Sequence, residues 1–550
     1  MTTPPAITSG PDFVPSSEQP SSLAQYIADL ATSNPDGHFL DIDQFGRQRI
    51  STYGELFERA QGFAGALNDA KSSDRPIVLL CCENAMDYVV GAWASLFAGV
   101  DVMPCDTLGR LTDPQQFSAK LARLTYAVGD AVLITDEAVF QTLNRYNMTE
   151  SLKPINIAAD GVSLGDGLWR SAPEAPVPVT RKSRLLIQTS GTTADPKIAI
   201  LEAPSLINRF FDGLHQTESV QLHNMAHYTV AGVRLLLPIG KQTVRLHPLR
   251  LTVRPQDWLE AIGRYAITDI GLSSSTAAAL LQAIKSGSGA CRLESLERIS
   301  FGAEPIVPSI VGSFLAALEA CGAEDIQISM VYSMTETGPL FRSILPMSHA
   351  LSLLEVERRC LPLEHCVAGW RLRCVDGNGA LVREGELGSI QVSSDEKMFS
   401  GYLEGPSPFV CDAMGRRWFD TGDVGSLDTG RLRLKGRNKS TIIVNARKIA
   451  CEEIEAGLVS CSSLAQTTIV AAPYRTGDMA TDEVAIFFVP QTETNESILE
   501  TERTIVREVS KQFSLRARHV VQITADDVDR TTTMKVKRHA LVRRYMEGKL

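Results

Sequence analysis

Apolar and polar positions along this 550-residue chain follow two alternating patterns. Tyr53–Ala70 carries the spacing of an amphipathic helix, and short apolar runs follow at Pro76–Cys82 and Ala131–Thr135. Similar runs recur at Ile267–Gly271, Leu296–Phe301 and Ile326–Tyr332, each ending in small or polar residues. Strand-then-helix alternation predicts a layered α/β architecture with largely parallel sheets. In such sheets ligands gather where the strands end.

Near Gly385 the pattern changes. Gly-rich turns separate short segments at Gly388–Val392, Arg431–Leu434 and Thr441–Val444, which predict hairpins. A helix at Glu452–Val459, strands at Thr467–Ala472 and Glu483–Val489, and a long helix over Ser497–Gln512 then suffice for a small α+β domain. The expected organisation is a flexible tail over 1–22, a large N-terminal domain over 23–436 and a small mobile C-terminal domain over 437–550. No internal repeat is visible.

Composition narrows the function. A formal charge of −10 without a long basic block gives no footprint for nucleic acid or an anionic membrane surface. Small molecules are the expected ligands. No apolar run is long enough to span a bilayer, and the Pro/Ser/Thr-rich start lacks the basic and apolar parts of a secretory signal. The eleven cysteines are scattered without zinc-ligand spacing, as expected of buried thiols in the cytoplasm.

The segment Arg184–Lys197 runs from an apolar strand into a hydroxyl- and glycine-rich turn, Thr189-Ser190-Gly191-Thr192-Thr193, followed by the cation of Lys197. Backbone N–H groups and hydroxyls beside a cation suit a polyphosphate, because a glycine turn wraps oxygens without steric conflict. The Walker pattern is absent, and a Ser/Thr/Gly turn taken alone is more often a solvated loop. Thr335 and Glu336 put a hydroxyl and a carboxylate at a strand end, a pair suited to phosphate and magnesium, although a lone glutamate in a turn is ordinarily just exposed.

Further segments follow in order: Tyr332-Ser333-Met334-Thr335-Glu336-Thr337-Gly338, Trp418-Phe419-Asp420-Thr421-Gly422-Asp423, Gly436-Arg437-Asn438-Lys439, Glu452-Glu453-Ile454-Glu455 and Thr533-Met534-Lys535-Val536-Lys537-Arg538. With Thr189–Lys197 they resemble the six motifs of the adenylate-forming superfamily over nearly the whole chain. That family includes acyl-CoA synthetases, fatty-acyl-AMP ligases and peptide-synthetase adenylation domains. The resemblance implies ATP and magnesium as cofactors, a small-molecule carboxylic acid as substrate, and acyl-AMP with pyrophosphate as first products. Thr189, Ser190, Gly191, Thr192, Thr193 and Lys197 would then hold the polyphosphate. Thr335 and Glu336 would hold the α-phosphate, with Glu336 also on the metal. Tyr332 would stack on adenine, Gly302, Ala303 and Glu304 would line the adenine and the acyl channel, Asp423 would accept from the ribose hydroxyls, and Arg437 would contact ribose or phosphates. Lys535 takes the place of the adenylation lysine, with Lys537 the other lysine of that segment.

Met225–Gly232 resembles the segment that carries an aromatic or histidine gate, which assigns that role to His227; a lone histidine is otherwise usually a core residue. Amino-acid-activating members place an aspartate there, and its absence disfavours an α-amino acid substrate. The family's glycines are replaced by Ala194, Ile198 and Ser333, and by Ala446 on the hairpin that lines the pantetheine channel. A thiol acceptor, coenzyme A or the phosphopantetheine of an acyl carrier protein, is preferred, with an amine acceptor or a catalytically inactive nucleotide- or acyl-binding protein as alternatives.

Overall fold

The computed structural model describes the chain except residues 1–3, 15–19, 21, 71–76, 108–113, 130, 159–160, 164–182, 190–196, 211–217, 238, 288–291, 305, 358–360, 438–439, 445–446, 460, 466, 476–481, 492–493, 514 and 531–535. The fold is mixed α/β, as the alternation of patterns predicts. The helix over Tyr53–Ala70 has the expected bounds. The apolar run after it forms the strand Ile77–Cys81, buried at all five positions between parallel neighbours Asp101–Pro104 and Ala131–Thr135. A parallel strand covered on both faces needs an unbroken apolar sequence, which this one has. The helix Ala85–Phe97 packs beside it, started by the Asn84 side chain accepting from the N–H groups of Met86 and Asp87.

Three sheets position the site. An eight-stranded sheet carries the antiparallel pair Arg184–Gln188 and Ile198–Glu202, with the two-residue strand Gly401–Tyr402 on its edge. In a nine-stranded sheet the strands Gln327–Met334, Arg298–Phe301, Asp269–Leu272, Val220–His223, Gln242–Leu246 and His38–Ile42 run parallel in that spatial order. Their carboxyl ends therefore share one edge, where Thr335, Gly302 and the segment after His223 emerge. A seven-stranded sheet contributes the long strand Arg417–Asp428 paired with Arg431–Arg437.

The first of these strands in sequence corrects an expectation. Ile7–Ser9, inside the expected flexible tail, pairs antiparallel with Arg371–Val375, and Ala6 is fully buried. Three residues between Pro5 and Pro11 are too short to show a period, so only the partner strand reveals them.

The apolar clusters of residues 6–432 are separate from those of residues 442–541. The later residues form the hairpin Thr441–Val444 with Arg447–Ala450, a sheet of Thr468–Tyr474, Glu483–Val489 and Ala517–Gln522, and the helices Cys451–Val459, Asn495–Phe513 and Arg538–Met546. Among the described residues no helix is long and apolar enough to cross a membrane.

Candidate active site

Strand Gln327–Met334 reaches the shared edge through a register shift between Tyr332 and Ser333 against Gly338–Pro346. A bulge of this kind re-aims side chains at the end of a ladder. Tyr332 is thereby turned toward the seven-stranded sheet, where its hydroxyl donates to Asp423 Oδ2 at 2.7 Å. Asp423 lies beside a second register shift, between Val424 and Gly425, and faces Arg437 across the ladder. The Arg437 Nε is 3.3 Å from Asp423 Oδ1. Burial, and then the Asp423 charge, hold the Tyr332 phenol well above its ordinary range, so at neutral pH it is a donor.

The turn Thr335–Thr337 is clamped from behind. Arg209, buried on the helix Ala203–Phe210, donates to the Thr335 carbonyl at 3.2 Å, the Glu336 carbonyl at 2.5 Å and the Lys397 carbonyl at 2.9 Å. Burial pushes its pKa down to about 9 and the Glu336 charge opposes that shift, leaving the guanidinium charged at neutral pH. Gly338, at φ +69°, closes the turn where a Cβ would meet the Arg209 stem at 3.0 Å. On the other side the Tyr402 hydroxyl donates to Glu336 Oε1 at 2.8 Å. Glu336 is 7 % exposed, with its carboxylate held rather than free to wander.

The described ends of the phosphate-loop segment lie close by. The Thr189 N–H donates to the Lys197 carbonyl at 2.8 Å, and the Lys197 ammonium sits 4.6 Å from the centroid of the Tyr402 ring. Ser190, Gly191, Thr192 and Thr193 lie outside the described residues. At the end of Arg298–Phe301, Gly302 is packed where a Cβ would approach the Val331 carbonyl to 3.2 Å, and Ala303 takes φ +64°. A non-glycine residue in the left-handed region is uncommon, and such strain tends to mark functional turns. Glu304 accepts from the Ser275 hydroxyl at 2.9 Å and from the Ser275 N–H at 3.4 Å.

His227 stands apart. It is 4 % exposed, its Nε2 lies against the Cys82 carbonyl at 2.5 Å, and its ring packs on Tyr88 at 4.7 Å between centroids. A carbonyl only accepts, so Nε2 carries the proton and Nδ1 presents a lone pair that has no partner among the described residues. Burial, then the charge of Arg245, pushes the imidazole pKa down to about 3, so the ring is neutral. Among the described residues the groups bonded to or packed on it are the Cys82 carbonyl and the rings of Tyr88 and Tyr228, and Tyr228 itself is hydrogen-bonded to the Asp106 carboxylate.

Lys535 lies outside the described residues, but the end of its segment is anchored. Arg538 grips both oxygens of Glu455 at 2.9 and 2.8 Å and reaches Glu452 at 3.0 Å, joining the last two motifs in the sequence. The structure thus connects Tyr332, Asp423 and Arg437, and connects Thr335 and Glu336 to Lys197 through Tyr402. Arg209 and Tyr402 were not expected. An arginine on a short amphipathic helix reads as a solvent-facing residue, and Gly401-Tyr402 carries no local signal beyond its glycine.

A family model described as AMP-binding enzyme matches residues 28–403, more than half of the chain. The chain belongs to the AMP-binding enzyme family. This is the adenylate-forming group that the ordered motifs indicate, and its chemistry is activation of an acid as its adenylate. Atromentin synthetase nps3 of Serpula lacrymans var. lacrymans (strain S7.9) is 24% identical over 97% of this chain and 57% of its own length. Inactive atromentin synthetase invA3 of Paxillus involutus is also 24% identical, over 91% of this chain and 54% of its own. The AMP-binding chain thus spans about half the length of these curated relatives. In fold it is similar to the adenylation, ketoreductase and pseudo Asub multidomain structure of a keto acid-selecting NRPS module. The TM-score is 0.82 at 20% identity, covering 99% of this chain and 48% of that one.

Proposed function

We propose that the chain activates a carboxylic acid, aryl or acyl and without an α-ammonium group, using ATP and magnesium, and then transfers the acyl group to a thiol. The observation that carries this reading is the meeting of three sheets at one edge. Supporting it, Lys197 lies against Tyr402, Tyr402 bonds to Glu336 of the Thr335–Glu336 turn, and Tyr332 of the strand leading into that turn bonds to Asp423, which faces Arg437. In the first step a carboxylate oxygen bonds to the α-phosphorus of ATP, the bond to pyrophosphate breaks, and acyl-AMP and pyrophosphate result. Asp423 accepts from the ribose hydroxyls, Tyr332 lies against the adenine, and Thr335 donates to the α-phosphate. Lys197 and Thr189 to Thr193 hold the outgoing phosphates, and Gly302, Ala303 and Glu304 border the adenine and the acyl channel.

The donors at the turn suit magnesium, which prefers hard oxygens and keeps much of its water. Tyr402 uses only Oε1 of the Glu336 carboxylate, and the preceding residue, Thr335, carries a hydroxyl. Bound there, the ion would neutralise phosphate charge as the anionic carboxylate approaches. Lys535 supplies the positioned cation that offsets the same repulsion in the transition state.

In the second step the acceptor thiol gives its proton to solvent, its sulfur bonds to the acyl carbon, the bond from that carbon to the phosphate oxygen breaks, and AMP leaves. The small domain, 437–550, turns about the Lys439 region to bring the Ala446 hairpin to the acyl group. Coenzyme A and a carrier-protein phosphopantetheine both fit this step, and the cytoplasm supplies the reduced thiol. Exclusion of α-amino acids rests on His227 standing where amino-acid-activating members carry an aspartate. A second reading, an inactive binding protein, is favoured by one observation: a relative of equal identity is named inactive.

ATP–pyrophosphate exchange with a panel of carboxylic acids tests the proposal. Exchange with at least one aryl or acyl acid is expected, and Lys535→Ala should lose it by orders of magnitude while still consuming supplied acyl-AMP. Absence of exchange with every acid, by a chain that still binds ATP, decides for the inactive reading. Transfer to amines and never to thiols would replace the acceptor.

A further inference from the structure

Tyr402 stands between two residues assigned to different parts of the nucleotide site, and the backbone explains why. The strand Gly401–Tyr402 pairs antiparallel with Ile198–Glu202, placing Tyr402 opposite Ala199. The pairing continues past the strand, with the Leu403 N–H donating to the Ile198 carbonyl at 2.9 Å. In an antiparallel ladder the residue two positions from the partner lies diagonally on the same face, within reach of a long side chain. Here that residue is Lys197, and the small Ala199 leaves the ring room to lie beneath the ammonium at 4.6 Å. An ammonium over a tyrosine face is attracted by the ring quadrupole. The same ring is packed edge-on against Phe399, whose centroid is 5.2 Å away, so its direction is set by apolar packing. Its hydroxyl ends on Glu336 Oε1 at 2.8 Å.

We propose that Tyr402 is a positioning residue that holds the Glu336 carboxylate for magnesium with its hydroxyl and the Lys197 ammonium for phosphate with its ring face. The inference rests on the preceding assignment of Glu336 and Lys197, and touches neither the acid nor the acceptor. The two roles use different atoms and separate by substitution. Tyr402→Phe removes the hydroxyl and keeps the ring under Lys197. Tyr402→Leu removes both.

Calorimetric titration with ATP, once in excess magnesium and once in EDTA, gives the contribution of magnesium as a ratio of affinities without any turnover. Glu336→Gln sets the scale. If that variant keeps the parent ratio, Glu336 is not a metal ligand, and both the earlier assignment and this inference fall. Given a lowered ratio in Glu336→Gln, Tyr402→Phe is expected to lower it about ten-fold, the usual size for losing an outer partner of a metal ligand. Its affinity in EDTA should stay at the parent value. Tyr402→Leu is expected to lose affinity in EDTA as well, by a few-fold, because Lys197 is no longer supported. A parent-like ratio in Tyr402→Phe, or an equal loss with and without magnesium, overturns the hydroxyl's role. Equal EDTA affinities in the two Tyr402 variants overturn the role of the ring.

Discussion

The two sides of the candidate site are built in opposite ways. On the side assigned to the nucleotide, protein groups already satisfy one another: Tyr332 bonds to Asp423, Tyr402 to Glu336, and Arg209 to three carbonyls. Around His227, the residue assigned to the acid side, His227 Nδ1 and the hydroxyl of Tyr88 packed against it are buried without a hydrogen-bond partner among the described residues. Buried polar groups are nearly always paired, and an orphan costs about 1–3 kcal/mol. Under the proposed function, the half that meets a constant ligand is rigidified by internal bonds. The half that meets the variable ligand keeps unused hydrogen-bonding capacity for the substrate or for water.

The largest test of that contrast removes the clamp behind the Thr335–Glu336 turn. Arg209→Met matches the stem but leaves three carbonyls without their donor, at about 1–3 kcal/mol each where burial is complete. A loss of about 3 kcal/mol or more in urea unfolding is expected. A loss below about 1 kcal/mol would mean that water reaches those carbonyls and that the nucleotide side is not internally built.

Arg209 also marks the limit of what the sequence discloses. One long periodic helix and three short apolar runs were legible to the residue: Tyr53–Ala70, Ala131–Thr135, Thr441–Val444 and Glu483–Val489 have the expected bounds. Strand ends at the site moved, with Asp269–Leu272 in place of Ile267–Gly271, because ladder partners and not hydropathy decide where pairing stops. Tyr332, Thr335, Glu336 and Asp423 were legible because their motifs repeat a known order. Arg209 and Tyr402 were not. Their partners lie far along the chain, 126 residues away for the Thr335 carbonyl and 66 for Glu336. A residue whose task is to bond a distant backbone or carboxylate leaves no local pattern.

A smaller effect probes the acid side through pH. His227 in the folded chain refuses a proton until about pH 3, whereas in an unfolded chain it takes one near its ordinary 6.5. Between those values the unfolded state holds the extra proton, so stability falls as pH is lowered through 6.5. The limiting slope for one such group is about 1.4 kcal/mol per pH unit. His227→Gln should flatten the acid limb of the stability curve by up to that slope, without abolishing it. His223, pushed down to about 3, and His247, to about 4, act in the same direction. An unchanged acid limb in the variant would show that His227 already titrates in the folded chain, and hence that its pocket is wet.

The smallest expected effect is the most discriminating, because it asks whether the orphaned atoms are orphans at all. Tyr88 is fully buried on the helix Ala85–Phe97, stacked against His227, and its hydroxyl meets no acceptor among the described residues. Removing an unpartnered hydroxyl discards a desolvation cost and sacrifices no hydrogen bond, while the ring keeps its packing. Tyr88→Phe should therefore be neutral, or up to about 1 kcal/mol more stable than the parent, in urea unfolding without substrate. A destabilisation above about 1 kcal/mol would mean that the hydroxyl has a partner, ordered water being the usual one. That hydroxyl would then be satisfied in the way the nucleotide side is. With an accepted acid bound, the same substitution separates two uses of that capacity. If the hydroxyl serves the substrate, the variant loses affinity for polar acids and keeps it for apolar ones. If it does not, affinity is unchanged across the panel, and His227 Nδ1 is left as the group that an acid would meet.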